Sequence, residues 1–381
     1  MLPVNIRQFY RRRLSVAGES RISIRTSVYS FVMGGNNLSL APTSVGVVGA
    51  SGFTGAELLR VIDRHPALAV ETLQAASQAG ERVADLYPSM AAAHGAACFT
   101  EFDIDQLDGL DVVFLGLPHE ASMEIVPELS NRVGHIVDLS AAFRLTDASQ
   151  YPIYYGFDHD QPEALAKAVY GLPEFHRDEL SGASLIATPG CYVTAAILAV
   201  RPLVDAGLAS SDTVIVDAAS GVTGAGRKED LAYAFTTVDE NFTAYGLLRH
   251  RHTPEMEQEI GARVLFTPHL VPMNRGILAT CYSKPAHDGA RSQEAVLETL
   301  QAQYADEPFV KVIEGIPGTK ATLGSNLVLV TGRYDERTDT IITISALDNL
   351  AKGASGGAIQ ALNVALGIDE TLGLDRIGVA P

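Results

Sequence analysis

The apolar positions of this chain come in short runs punctuated by glycine, proline and small polar residues, and those runs lay out a fold. Val45-Gly46-Val47-Val48-Gly49 reads as a buried strand, residues 50–55 as a glycine-rich turn, and residues 56–63 as a helix that stops before Pro66. Residues 69–75, 111–117 and 135–139 read as further strands of the same sheet. The last two run into small or polar residues, where open α/β sheets bind ligands. An apolar run at 183–187 leads through Pro189-Gly190 into a helix over 193–204. The character then changes, with strand-like runs at 213–218, 264–270, 276–282, 309–314 and 326–331 and few helices between them. Residues 341–346 follow Asp335-Glu336-Arg337 as the second arm of a hairpin. The pattern predicts an α/β Rossmann nucleotide-binding domain over 44–190 and an α+β domain with a mainly antiparallel sheet over 191–351. A helix of small residues over 352–366 is expected to return, with the rest of 352–381, onto the first domain.

Composition narrows the class. The chain has 381 residues, 47% of them hydrophobic, enough for two domains with cores of their own. No apolar run reaches the roughly 18 residues of a membrane-spanning helix, and a formal net charge of −17 argues against nucleic acid as a partner. Three scattered cysteines, Cys98, Cys191 and Cys281, make no disulfide framework and fit a reducing cytoplasm. Residues 1–43 stand apart. Arg7, Arg11, Arg12, Arg13, Arg21 and Arg25 face the single acid Glu19, so this stretch reads as a disordered tail or an extension upstream of Met33. An organelle transit peptide is the other reading.

The candidate chemistry starts at Thr188-Pro189-Gly190-Cys191-Tyr192. A thiol at a helix N-terminus meets exposed amide groups and the macrodipole, which favour thiolate. Such a cysteine attacks an electrophilic carbonyl and holds the acyl group as a thioester. The blander alternative is a small buried hydrophobe. Arg249-His250-Arg251-His252-Thr253-Pro254-Glu255 supplies a proton-transfer group and anion-binding cations in seven positions. Arg144, Ser140 and Arg227 are further anion-binding candidates, the last on the glycine-rich loop 220–228. In the first domain the turn Gly49-Ala50-Ser51-Gly52-Phe53-Thr54-Gly55 suits a pyrophosphate. The second strand ends in Ala75-Ala76-Ser77-Gln78 without the acid that holds a free ribose, so the expected cofactor is NADP(H), with Ser77 at its 2′-phosphate. Gly116 and Pro118 close the third strand toward the same crevice. No cluster of Cys and His has metal-ligand spacing beyond the two histidines already used, so no metal is expected.

Residues 49–55, Gly171-Leu172-Pro173-Glu174, Pro189-Gly190-Cys191-Tyr192, residues 250–255 and Asp348-Asn349-Leu350-Ala351-Lys352-Gly353 occur in the order seen in N-acetyl-γ-glutamyl-phosphate reductases. From about Ser44 to Gly367 the chain resembles that NADPH-dependent family of arginine biosynthesis, itself related to aspartate-semialdehyde dehydrogenases. The resemblance implies Cys191 as nucleophile and His250 as acid/base, with His252 and Glu255 in support, the two histidines remaining unranked. It implies an acyl phosphate substrate, Asn349 near the nicotinamide, a dimerisation role for the second domain and a homotetramer. Two positions depart from the family pattern: Val193 stands where proline is common, and Ala142 where aspartate is common. Three other activities share these residues: an aminoadipyl-phosphate reductase, an aspartate-semialdehyde dehydrogenase, and a non-catalytic NADP-binding sensor.

Overall fold

The computed structural model describes residues 41–227 and 229–380. The basic segment over residues 1–40, Lys228 of the glycine-rich loop and Pro381 lie outside the described residues.

The first unit runs β1 (Thr43–Val48), α1 (Phe53–Ile62), β2 (Leu68–Gln74), β3 (Val112–Leu115), α2 (His119–Leu129), β4 (His135–Asp138), β5 (Val169–Tyr170), α3 (Pro173–Leu180) and β6 (Leu185–Ala187). Its sheet is parallel throughout, in the order β2-β1-β3-β4-β6-β5. Val45, Val47 and Val48 are fully buried, as expected for strands covered on both faces. The chain reverses direction across the sheet at β1, and the crevice beyond β1 and β3 is where a doubly wound sheet takes its ligand. Gly49 turns out of β1 with φ +83°, and a β-carbon there would lie 2.2 Å from the Gly116 carbonyl oxygen. Only glycine lets these two backbones meet at the crevice floor.

The second unit holds α4 (Cys191–Asp205), β7 (Val214–Gly221), β8 (Thr243–Ala244), α5 (Thr253–Ile260), β9 (Val264–Val271), β10 (Ile277–Ser283), α6 (Gln293–Gln303), β11 (Val310–Val312), β12 (Val328–Asp335) and β13 (Thr340–Leu347). The sheet order is β11-β12-β13-β10-β7-β9-β8. It is mixed: β11 with β12 and β7 with β9 run parallel, and the other four pairings are antiparallel. Alternate residues of β10 are buried, so one face of the sheet makes the core with α4, α5 and α6. Along the opposite face Ile215 and Leu265 are exposed. Helix α4 is buried along almost its whole length, including every residue from Tyr192 to Val200, so its first residue, Cys191, is set on a rigid base.

After β13 the chain makes one π-helical turn, Ala351–Ser355, and then α7 (Gly356–Ala365). Ile359 and Leu362 join the core of the first unit. The helix ends at Ala365, within one residue of the expected end, and 366–380 is turn and coil. It starts late, because residues 351–355 are a wider turn. Within it Gly353 touches the nucleophile turn: a β-carbon there would sit 2.9 Å from Cys191 Cβ. Lys352 beside it is drawn into a buried pair with Glu174 at 2.6 Å. Single π turns of this kind collect at functional sites.

Candidate active site

Strand β6 delivers the chain through Thr188-Pro189 to Gly190, which caps α4 with extended backbone angles. The Gly190 N–H donates to Glu255 Oε1 at 2.9 Å, and the Tyr170 hydroxyl donates to the same oxygen at 2.7 Å. Arg144 Nη1 stands 3.5 Å from Glu255 Oε2. Glu255 is wholly buried on α5, which packs on α4, so this carboxylate ties the nucleophile turn to the second unit. His252, at the start of α5, lays its ring on Gly190: a β-carbon at position 190 would lie 2.5 Å from His252 Nε2. His250 is one step out. Its Nδ1 accepts the His252 backbone N–H at 3.1 Å, and the two rings meet edge to face at 4.8 Å.

Burial sets the proton inventory. It pushes the Cys191 thiol up to about 11, outweighing the backbone N–H groups at the helix start and Arg144, which pull the other way. The expected bias toward thiolate at the helix terminus is therefore present but overridden by desolvation. Burial, followed by the neighbouring His250 and Arg144, holds His252 well below the usual histidine range. It brings His250 down to about 4, with Arg251 adding to the effect. The resting pair is thus a neutral thiol beside a neutral imidazole, and His252 Nδ1 is buried with no hydrogen-bond partner. Such a pair moves its proton during the attack rather than before it.

Two cavities meet at this point. The smaller, about 320 Å³, is walled by Tyr155, Tyr192, Tyr245, His250 and Arg251. The larger, about 640 Å³, runs along Gly52, Phe53, Thr54, Gly116, Pro118, Arg227 and Asn349. His119, Arg144, Cys191, Arg251 and His252 line both. The larger cavity fits an extended dinucleotide: it ends at the open N-terminus of α1, whose Gly52 cap makes no side-chain bond, over the Gly49–Gly116 floor. Arg227 reaches across from the second unit, its Nε donating to the Ser51 carbonyl at 2.9 Å. The Ser51 and Ser77 hydroxyls both donate to Gln78 Oε1, at 2.9 and 2.8 Å. Asn349 accepts the Gly276 N–H through Oδ1 at 2.7 Å and donates to Thr223 Oγ1.

The remaining expected residues are placed as follows. Ser51 and Gly55 build the glycine-rich turn from behind, and a β-carbon on Gly55 would strike the Ala50 carbonyl at 2.5 Å. Ser77 lies exposed beside that turn and off the cavity wall. Ser140 is buried and donates to Asp138 Oδ2 at 2.7 Å while accepting the Ala142 N–H, so its hydroxyl is committed to its own loop. Arg249 is exposed and lines neither cavity. Arg144 is buried, donates to the Leu139 carbonyl at 2.9 Å, and keeps a buried Nε without a partner at the cavity junction. His119, Tyr155 and Tyr245 are among the wall residues that were not picked out from the sequence. His119 carried a signal, since it follows a strand end that points at the crevice. Tyr155 and Tyr245 carried none, because loops bring them in.

The comparisons with known proteins agree with this architecture. Residues 44–183 match the family described as semialdehyde dehydrogenase, NAD binding domain, and residues 191–349 match semialdehyde dehydrogenase, dimerisation domain. The N-acetyl-gamma-glutamyl-phosphate reductase of Desulforudis audaxviator is 44% identical over 346 residues, covering 88% of this chain and 99% of that protein. That of Heliobacterium modesticaldum is 43% identical over 347 residues, with the same coverage of both chains. Among solved structures, aspartate semialdehyde dehydrogenase II of Vibrio cholerae shares the fold at a TM-score of 0.64 and 16% identity, covering 85% of this chain and 98% of that one. The chain belongs to the semialdehyde dehydrogenase family and, within it, to the N-acetyl-γ-glutamyl-phosphate reductases.

Proposed function

We propose that this chain reduces N-acetyl-γ-glutamyl phosphate to N-acetylglutamate semialdehyde and phosphate, with NADPH, in arginine biosynthesis. The observation that carries the reading is Cys191 at the junction of two cavities, in a turn whose Gly190 lies against the His252 ring. Cys191 Sγ attacks the acyl carbon, and its proton passes to His252 and on to the departing phosphate as the C–O bond breaks. Backbone N–H groups at the start of α4 face the developing oxyanion. The product is a thioester on Cys191, more electrophilic than a carboxylate and held away from water. The turn at 49–55, Arg227 and Asn349 would hold NADPH, which when bound would supply the hydride. Collapse of the reduced thioester restores the carbonyl and breaks the C–S bond, and a proton taken up from solvent through His252 returns the sulfur to the thiol.

His252 is assigned the proton transfer in preference to His250. It lies on Gly190 and lines both cavities, whereas His250 lines the smaller alone and spends Nδ1 on the His252 backbone. Glu255 positions: it holds the Gly190 N–H and balances Arg144. The open face of the second sheet, with Ile215 and Leu265 exposed, supports assembly, proposed here as a homotetramer in the cytoplasm.

The deciding experiment is the reverse reaction, NADP⁺ reduction by N-acetylglutamate semialdehyde in the presence of phosphate. Phosphate-dependent reduction with that substrate, absent with aspartate semialdehyde and weak with the aminoadipate homologue, is the expected result. Faster turnover of either alternative would overturn the substrate assignment. Binding of NADPH without any turnover would leave the sensor reading standing in its place.

A further inference from the structure

Arg275 joins the two units and lines neither cavity. From the turn between β9 and β10, its Nη1 donates to Glu57 Oε2 at 2.9 Å and its Nε to Asp348 Oδ1 at 3.0 Å. Glu57 lies on α1, whose opening residues Phe53 and Thr54 line the larger cavity. Asp348 precedes Asn349, another residue of that cavity wall. Both carboxylates are buried, and neither depends on Arg275 for a partner. Glu57 Oε1 also accepts from Arg60 Nη2 at 2.6 Å. Asp348 also accepts the N–H groups of Gly324, Leu350 and Ala351, at 2.7, 2.9 and 3.2 Å. What Arg275 adds is a single planar group spanning the two acids.

The residues on either side of Arg275 hold the rest of the same wall. The Gly276 N–H donates to Asn349 Oδ1 at 2.7 Å. The Asn274 carbonyl accepts from Thr223 twice, from Oγ1 at 2.6 Å and from the backbone N–H at 3.2 Å. Thr223 Oγ1 in turn accepts from Asn349 Nδ2 at 3.0 Å, and Thr223 opens the glycine-rich loop that carries Arg227. The turn itself is fixed: Gly276 has φ +121°, and a β-carbon there would lie 2.7 Å from Thr319 Cβ. Three consecutive residues thus hold α1, Asn349 and the glycine-rich loop. We propose that Arg275 is a positioning residue for the cofactor, locking α1 to the turn at 274–276 so that these three walls keep the spacing NADPH requires. The inference rests on the larger cavity being the cofactor's. A cleft whose width is set in advance loses less freedom on binding. The lock stays charged, because Arg60 and Arg275 outweigh burial and hold the Glu57 carboxyl below its usual range.

The test is NADPH affinity, read by fluorescence titration of the full-length protein beside its thermal unfolding. In Arg275→Met both acids keep their other partners, and the NADPH dissociation constant is expected to rise about tenfold. Arg275→Lys keeps the charge but has one nitrogen where the guanidinium uses two, so it should bind NADPH about threefold or more weakly than the parent. Adding Glu57→Gln to Arg275→Met should weaken binding by no more than about twofold further, because both changes break the same joint. In the reverse reaction the NADP⁺ KM should rise with the dissociation constant, while those of semialdehyde and phosphate stay within about threefold of the parent. A lower unfolding temperature with unchanged NADPH affinity in Arg275→Met would overturn the inference. So would full rescue by lysine, multiplying losses in the double variant, or an equal rise in all three KM values. Should Arg275→Met not fold, Arg275→Lys carries the same comparison, and parental affinity there overturns the inference. The titration needs no turnover: a parent that binds NADPH but reduces NADP⁺ with neither semialdehyde removes the reductase reading, and the variants still decide the role of Arg275.

Discussion

The His252 ring occupies the space where Gly190 would carry a side chain: a β-carbon at Gly190 would be 2.5 Å from His252 Nε2 and 2.8 Å from His252 Cδ2. The glycine before Cys191 is thus required by contact with His252, the proposed proton-transfer group, and not by its extended backbone angles of φ −67° and ψ 143°. Gly190→Ala must push the imidazole aside or open the turn. A displacement of about 1 Å near reacting atoms costs on the order of a hundredfold in rate, so kcat should fall by about that factor. NADPH affinity, measured by fluorescence titration, should stay close to that of the parent. A variant with near-parental kcat would show that His252 is not the group that moves the proton.

The thiol at about 11 gives a pH signature. In the free protein at pH 7.5, alkylation of Cys191 by iodoacetamide should be slower than that of an unperturbed cysteine, and should climb as pH rises past 9. Substrate turnover should not follow that curve, because in the proposed mechanism His252 takes the proton during the attack. With His252 held below the ordinary histidine value, the acid limb of kcat/KM should lie below pH 6.5. An acid limb at or above that value would contradict a neutral resting imidazole.

Stability should also depend on pH through His250. Its folded-state value is lowered to about 4, while the unfolded chain protonates near 6.5. As pH falls from 6.5 toward 4 the unfolded state takes up a proton that the folded state refuses, so this contribution is fully present above 6.5 and is lost on acidification. Urea midpoints at pH 7.5 and 5 should differ less in His250→Gln than in the parent. An equal drop in both proteins would place the acid sensitivity elsewhere.

Glu255→Ala removes the acceptor for Gly190 and Tyr170 and leaves the buried Arg144 guanidinium without its carboxylate. Breaking one half of a buried ion pair costs about 3–5 kcal/mol, which urea denaturation would read directly. Glu255→Gln, keeping an acceptor of the same shape, should lose less stability but still lose activity, because the turn is held less firmly. Equal stability losses in the two variants would show that the charge, and not the hydrogen bond, is what matters.

Lys352 and Glu174 form a second buried pair, at 2.6 Å, with Gln360 Oε1 accepting from Lys352 Nζ at 2.7 Å. Lys352→Met alone should destabilise by about 3–5 kcal/mol, and adding Glu174→Gln should recover a large part of that loss. The single variant should also weaken NADPH binding, because Leu350, Gly353 and Ala354 around Lys352 line the larger cavity. Additive losses in the double variant would argue against the pair acting as a unit.

The first domain was legible because its rules are local. A buried parallel strand, a glycine-rich turn and a helix start follow one another within about twenty residues from Thr43, and each leaves its mark in residue type. The second domain was less so. Its strands were recognised, but parallel pairing of β7 with β9 and of β11 with β12 depends on connections that no run of residues announces. Residues 352–366 read as one amphipathic helix, whereas residues 351–355 form a π turn that carries Lys352 into a buried pair with Glu174, 178 positions away. Ser140 looked like an anion ligand because a hydroxyl at a strand end often is one; here the buried Asp138 carboxylate claims it first.

By itself the sequence determined the two-domain plan, the nucleophile turn, the dinucleotide turn and the set of groups available for proton transfer. These are written in short-range patterns of side-chain type, which backbone sterics and helix-end chemistry translate directly into local structure. The tertiary structure decided which histidine touches the nucleophile turn and in which state the thiol rests. It also decided that His119 and Arg251, 132 positions apart, face one another across the cleft. Desolvation and donor–acceptor matching depend on what surrounds a group in space, and burial comes from contacts between distant segments rather than from any residue's neighbours in the chain.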